Sequence, residues 1–191
     1  MEPKIWITSD THFCHNKEFL YKPRGFSSVH EMNEEIVKRW NSVVSPIDTV
    51  YHLGDVMLND NAAGVRFLNQ CHGNIRILTG NHDSATRVQE YVNIRPTILH
   101  LGLAYILKYK GYTFYLSHYP ALTGNYDEDK PLNRQIISLC GHTHTQDPFA
   151  DWDKGKIYHC ELDAHNCYPI CIDNIINDIK ERRRKLNEFL F

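Results

Sequence analysis

Apolar runs that each end in a metal-binding residue type, repeated five times, constrain this chain more than any other feature. Asp10-Thr11-His12, Gly54-Asp55, Gly80-Asn81-His82-Asp83, His118 and Gly141-His142-Thr143-His144 all follow short stretches rich in strand-forming residues. Carboxylate, carboxamide and imidazole are the side chains that bind Mn²⁺, Fe and Zn²⁺. In open α/β sheets ligands gather beyond the carboxyl ends of the strands, so residues far apart in sequence can converge on one sheet edge. Glycines at 54, 80 and 141 suit a chain that turns sharply beside such a site.

The elements between these segments read as an α/β domain. Residues 4–8, 49–53 and 75–79 are expected strands. Between the first two, Ser28 and Glu31 form a capping box, Val29, Met32, Ile36, Trp40 and Val43 make one apolar stripe, and Pro46 stops the helix. A shorter helix is expected at 62–71. This strand-helix alternation argues that the first strands are parallel. Residues 104–110 and 112–117 then read as a hairpin turning at Gly111, followed by a loop over 119–133 and a buried strand at 135–140. Further strands are expected at 156–162 and 168–172. Asp173 is expected to cap a last helix with Ile175, Ile176, Ile179, Arg183 and Leu186 on one side.

With 191 residues, 42% of them hydrophobic and 23% charged, the chain has the size of one domain spanning 1–191 with a sizeable core. No stretch approaches the ~18 apolar residues of a membrane span and the N-terminus lacks a signal-peptide layout, so a soluble, cytoplasmic protein with no membrane partner is expected. A formal charge of −2 implies neither nucleic-acid nor membrane binding from the whole-molecule field. The six cysteines form no CxxC pair and are expected to stay reduced. His159, Cys160, His165, Cys167 and Cys171 miss the paired-ligand spacing of structural zinc, which leaves core cysteines as the expectation.

The ordered set Asp-x-His, Gly-Asp, Gly-Asn-His-Asp, His and Gly-His-x-His resembles the calcineurin-like metallophosphoesterase superfamily, over Asp10 to His144. The segments from Asp10 to Asn16 and from Tyr51 to Asp55 further resemble its compact branch in bacteria and bacteriophages. The resemblance implies a sandwich of two mixed β-sheets flanked by helices, with a dimetal site at the sheet edge. It implies that Asp10, His12 and His144 hold one ion, that Asn81, His118 and His142 hold the other, and that Asp55 bridges them. His82 would protonate the leaving oxygen or stabilise charge at phosphorus, with Asp83 the nearest carboxylate to orient it. The implied cofactors are two divalent ions (Mn²⁺, Fe or Zn²⁺), which can generate hydroxide from bound water and clamp both oxygens of an in-line displacement. The implied substrate is a phosphomonoester or phosphodiester, such as a nucleotide or another small phosphoester.

One departure narrows this. Where Ser/Thr protein phosphatases of the superfamily carry an Asp-Arg pair after the bridging aspartate, this chain has Leu58 and Asn59. Arg24 is the first candidate for the phosphate-binding cation, ahead of Arg134 and Arg87, and His15 can reach substrate from the first loop. His52 is expected to pack behind Asp55. The basic run 180–185 and the aromatics of 105–115 are expected on a solvated helix face and in the sheet. Two alternatives stay open: a nuclease or cyclic-nucleotide phosphodiesterase, and a metal-binding interaction scaffold with little activity. The presence of His82 and of every ligand position weighs against the scaffold.

Overall fold

The computed structural model describes residues 2–124 and 130–188, the last three of these by backbone alone. Strands β1 (Ile5–Thr8), β2 (Thr49–His52), β3 (Asn74–Leu78) and β4 (Ile98–Gly102) are parallel neighbours in one sheet, and β9 (Ile170–Cys171) joins β1 antiparallel, in the order β4-β3-β2-β1-β9. The second sheet has the order β5-β6-β7-β8, from β5 (Ala104–Tyr109), β6 (Tyr112–Ser117), β7 (Ile136–Cys140) and β8 (Ile157–His159). Only the β5–β6 hairpin is antiparallel there; β6, β7 and β8 are parallel. The fold is therefore the expected sandwich of two mixed sheets with flanking helices, of which α1 (Glu18–Tyr21) and α5 (Trp152–Gly155) are single turns.

The two-residue period of a strand divides β1 between two cores. Trp6 packs with Met32, Ile36 and Trp40 of helix α2 (Val29–Val43), whereas Ile7 packs with Phe114, Leu116 and Leu139 of the other sheet. Helices α3 (Asn61–Gln70) and α4 (Ala85–Ile94) add Leu68 and Tyr91 to the first core, and α6 (Ile172–Glu188) adds Ile175, Ile176 and Ile179 to the second. Each such fully buried side chain contributes about 1.5–3 kcal/mol. Trp40 also satisfies its indole N–H by donating to the His72 carbonyl at 3.0 Å.

Several local expectations are revised. Ser28 caps α2 by accepting from the Glu31 amide, but Glu31 reaches back to Ser27 rather than to Ser28. The sequence signals for α4 and β4 are weak: α4 carries a sparse stripe of Val88, Tyr91 and Ile94, and β4 is an edge strand with Leu99 and His100 exposed. The strand expected at 156–162 stops at His159, where the chain leads toward a 3₁₀ turn at Leu162–His165. Helix α6 starts at Ile172, and Asp173 accepts from Tyr109 and Lys110 rather than capping it. Residues 125–129 of the expected 119–133 loop, and the Leu186 side chain, lie outside the described residues.

In the basic run, Lys180 lies over the Tyr112 ring and Arg182 over Phe149, so part of it covers this protein's own aromatics. All six cysteines are unpaired. Among the described residues no helix is long and apolar enough to cross a membrane.

Candidate metal centre

Asp10, Asp55 and Asn81 lie two or three residues beyond the ends of β1, β2 and β3, while His118 and His142 lie just past β6 and β7. The loops after β1 and β2 stay paired past the strands, through Asp10 N–H to the Gly54 carbonyl and Phe13 N–H to the Val56 carbonyl. Gly141 N–H donates to the His118 carbonyl and ties the two second-sheet loops in the same way. All seven expected ligands meet at this edge.

Five of them, Asp10, His12, Asp55, His142 and His144, have φ between +47° and +74°. That region is sparsely used by residues other than glycine and costs on the order of 1 kcal/mol or more per residue. Left-handed turns on both sides of Thr11 and of Thr143 let alternate side chains aim inward. Gly80 and Gly141 matter for a different reason, close approach: a Cβ on Gly80 would meet the Asp55 carboxylate, and one on Gly141 would meet the Asp10 carboxylate and Ser9.

Each aspartate splits its work between its two oxygens. Asp10 Oδ2 accepts from the His142 amide at 2.9 Å, while Oδ1 is buried without a hydrogen-bond partner. Asp55 Oδ1 accepts from the His82 amide at 2.8 Å, and Oδ2 lies 3.6 Å from both His12 Nε2 and His118 Nε2. Around Oδ2 the other donors fall into two groups. His12 Nε2 and His144 Nε2 are 3.2 Å apart, at 3.5 and 3.7 Å from Asp10 Oδ1. His118 Nε2 lies 2.8 Å from Asn81 Oδ1 and 3.2 Å from His142 Nδ1.

The donor chemistry fits two cations. His118 Nδ1 faces the Leu53 carbonyl at 3.0 Å and His144 Nδ1 faces Asp163 at 2.9 Å. Both acceptors require N–H there, which leaves lone pairs on the two Nε2 atoms. Lone pairs facing one another, with an unpartnered buried carboxylate oxygen beside them, are what an ion relieves. Burial alone would raise the Asp10 carboxyl, but His12, His144 and His118 hold it well below the usual carboxylate range.

Comparison with known proteins agrees with this geometry. The calcineurin-like phosphoesterase superfamily domain matches residues 4–158. The chain belongs to the calcineurin-like phosphoesterase superfamily. An uncharacterized protein of the archaeon Methanocaldococcus jannaschii is 32% identical, over 97% of each chain. The gene 66 protein of Mycobacterium phage L5 is 27% identical over 83% of this chain and 86% of its own. The relatives thus reach archaea as well as phages. Among solved structures, a protein of unknown function from Aquifex aeolicus superposes with a TM-score of 0.69 at 23% identity, covering 92% of this chain and 99% of that one, a likeness of fold.

Around the calcineurin-like centre, other expected residues take different positions. His82, 39% exposed, has Nε2 3.9 Å from Asp55 Oδ2. It shares a cleft of about 210 Å³ with His12, His15, Phe19 and His142. His15 is buried, 5.2 Å ring to ring from His12, and burial followed by His12 and His82 pushes its pKa down to about 4.

Asp83 does not orient His82, because its carboxylate is committed elsewhere. It accepts from Asp55 N at 2.7 Å, Gly80 N at 2.9 Å, Val56 N at 3.2 Å and the Tyr91 hydroxyl at 2.7 Å, so it anchors the second and third loops to each other. Arg24 is not placed to bind phosphate either: its side chain is 1% exposed and its guanidinium grips Asp163 and the Asp10 carbonyl. Arg87 is likewise held, by the His82 carbonyl and Asn61. Leu58 N–H donates to the Phe13 carbonyl and Asn59 to the Cys14 carbonyl, so the positions of the missing Asp-Arg pair serve loop pairing.

His52 packs behind the site as expected. Thr11 spends its proton on the Val56 carbonyl, so His52 Nε2 donates to Thr11 while Nδ1 accepts from Gly54 N–H. Burial lowers its pKa to about 4, against the opposing pull of Asp83 and Asp10. His159, from the cysteine-histidine cluster, lies between Asp151 and Glu161.

Sequence reasoning missed Tyr91, Glu161 and Asp163. Glu161 accepts from the Thr143 hydroxyl and Thr145 N–H and so holds the fifth loop. A signal existed, since an acid within the strand-like run 156–162 needs partners if it is buried.

Proposed function

We propose that this chain is a dimetal-dependent phosphoesterase acting on a small phosphomonoester or phosphodiester, a nucleotide among the candidates. The observation that carries this is Asp55 Oδ2, 3.6 Å from His12 Nε2 and from His118 Nε2, between two sets of inward lone pairs. Asp10, His12 and His144 would hold one ion, Asn81, His118 and His142 the other, with Asp55 shared. When bound, such ions supply Lewis acidity and a nucleophile at neutral pH.

The chain's own residues supply the rest. His82, half-exposed at the rim beside Asp55, is positioned to give a proton to the leaving oxygen. His15, with no partner on Nδ1, stays neutral near pH 7 and offers a polar wall to the phosphate. With Arg24 and Arg87 tied up, the two ions themselves would attract the phosphate, since their +4 exceeds the −2 of Asp10 and Asp55. Phe19, 73% exposed and edge-on to His15, and Tyr119, 52% exposed and edge-on to His118 and His142, flank the cleft, which suits a flat leaving group such as a nucleoside. Six unpaired cysteines suit a cytoplasmic setting.

The test is a metal-reconstituted assay of a generic phosphomonoester, a generic phosphodiester, and linear and cyclic nucleotides. Turnover of at least one ester, abolished by chelation, is expected. Silence on all of them with two ions bound would overturn the proposal in favour of a scaffold.

A further inference from the structure

His144 sits on a half-exposed loop, yet its ring is held on the side away from the other ligands. Its Nδ1 lies 2.9 Å from Asp163 Oδ2. Arg24 Nη2 donates to that same oxygen at 2.7 Å, and Arg24 Nε donates to Oδ1 at 3.0 Å, a two-pronged grip on the carboxylate. The same Nη2 donates to the Asp10 carbonyl at 2.8 Å. Arg24 and Asp163 are 1% and 9% exposed in their side chains.

A buried ion pair is a weak source of stability, because desolvation cancels much of the attraction. What this pair does impose is geometry. A carboxylate beside a guanidinium stays ionised and can only accept, so the His144 proton must sit on Nδ1 and the lone pair on Nε2. That lone pair points where His12 Nε2 and Asp10 Oδ1 converge, at 3.2 and 3.7 Å.

The other histidines are backed differently. His118 Nδ1 faces a neutral backbone carbonyl, His12 Nδ1 is buried with no partner, and His142 turns Nδ1 toward Asn81 and His118 with the Tyr119 ring edge-on beside it. The charged brace therefore acts on one of the two proposed ion positions. It is also part of the fold's frame: Asp163 lies on the 3₁₀ turn Leu162–His165, and Leu162 N–H donates to the Ser9 carbonyl, next to Asp10.

We propose that Asp163, gripped by Arg24, is a positioning residue that fixes the tautomer and aim of His144, and so sets the affinity of the Asp10–His12–His144 ion position independently of its neighbour. This rests on the dimetal centre proposed above. Orienting partners of metal-bound histidines typically account for 10–100-fold in affinity.

The experiment titrates Mn²⁺ alone into the metal-free native chain, Asp163→Asn, His144→Ala and the double variant, read by calorimetry and by the electron spin resonance of free Mn²⁺. Asp163→Asn is expected to weaken one of two binding steps by about 10–100-fold and leave the other within about twofold. On the His144→Ala background the same change should cost less than about twofold, because the pathway runs through His144. An unchanged titration, an equal loss at both steps, or an undiminished loss without His144 would overturn the assignment. Should Asp163→Asn not fold, ¹⁵N NMR of the native metal-free chain decides: a proton on His144 Nδ1 supports the assignment, and one on Nε2 alone overturns it. A native chain that binds no Mn²⁺ would sink the dimetal function itself, and the NMR arm would still judge the tautomer.

Discussion

Replacing Asp83 by Asn removes no volume and should still damage the protein severely. Four donors converge on that carboxylate, Asp55 N–H and Gly80 N–H on Oδ2 and Val56 N–H and the Tyr91 hydroxyl on Oδ1. An amide offers one accepting oxygen and a donating nitrogen. Its least costly orientation keeps the oxygen toward Asp55 and Gly80 and lets the Tyr91 hydroxyl rotate to accept, which leaves Val56 N–H facing an amide N–H. Losing that bond in a buried site costs about 1.5–3 kcal/mol, and exchanging two charge-assisted bonds for neutral ones costs on the order of 1 kcal/mol each. The sum, about 3.5–5 kcal/mol, is a large share of a typical domain's stability of about 5–15 kcal/mol. Urea unfolding of the metal-free protein measures it, and Mn²⁺ titration should show weakened binding as well, because Asp55 and Asn81 ride on the loops that Asp83 joins. A variant within about 1 kcal/mol of native, with unchanged ion binding, would refute the anchoring role.

Other perturbations have equally definite outcomes. His82→Asn should keep both ions and lower turnover by about 10²–10⁴-fold; full turnover with two ions bound would remove His82 from the reaction. The metal-free protein should lose stability as pH falls from about 6.5 toward 4, because His52 is buried neutral with a pKa of about 4 against an ordinary value of 6.5. The contribution is complete above the unfolded pKa, amounts to about 3 kcal/mol, and is gone below the folded one; a His52→Gln variant with the same pH slope would contradict this. Adding Mn²⁺ at about 100 times its Kd should stabilise the fold by about 2.7 kcal/mol per ion, and an unmoved unfolding midpoint would mean that the site holds none. Gly80→Ala should abolish ion binding, since its Cβ would occupy the space of the Asp55 carboxylate, and retained binding would show that the loops can part.

The strand ends were legible in the sequence because each ligand segment directly follows a short apolar run rich in strand-forming residues. Helix α2 was legible through its cap and stripe. Helix α4 and strand β4 were not, because edge elements need few apolar residues and are held by contacts made only in the folded state. The same division applies to the site. Side chains that meet the proposed ions come in recognisable spacings, whereas those that brace them are ordinary residues until folded. Asp83 looked like a partner for its neighbour His82 and instead reaches Asp55, 28 positions away in sequence. Arg24 looked like the phosphate-binding cation and is buried against Asp163, 139 positions on. Sequence proximity misleads here because a buried charge is satisfied by whichever groups the fold packs against it, and at Asp83 and Arg24 those come from distant parts of the chain.

The most direct test follows the rate of phosphoester hydrolysis while Mn²⁺ is titrated into metal-free protein. With Asp55 shared between two ions, the rate should follow the doubly loaded population, lagging behind total binding and reaching its plateau only when both positions are filled. Full turnover with one ion bound, or none with two, would contradict the dimetal reaction proposed for this site.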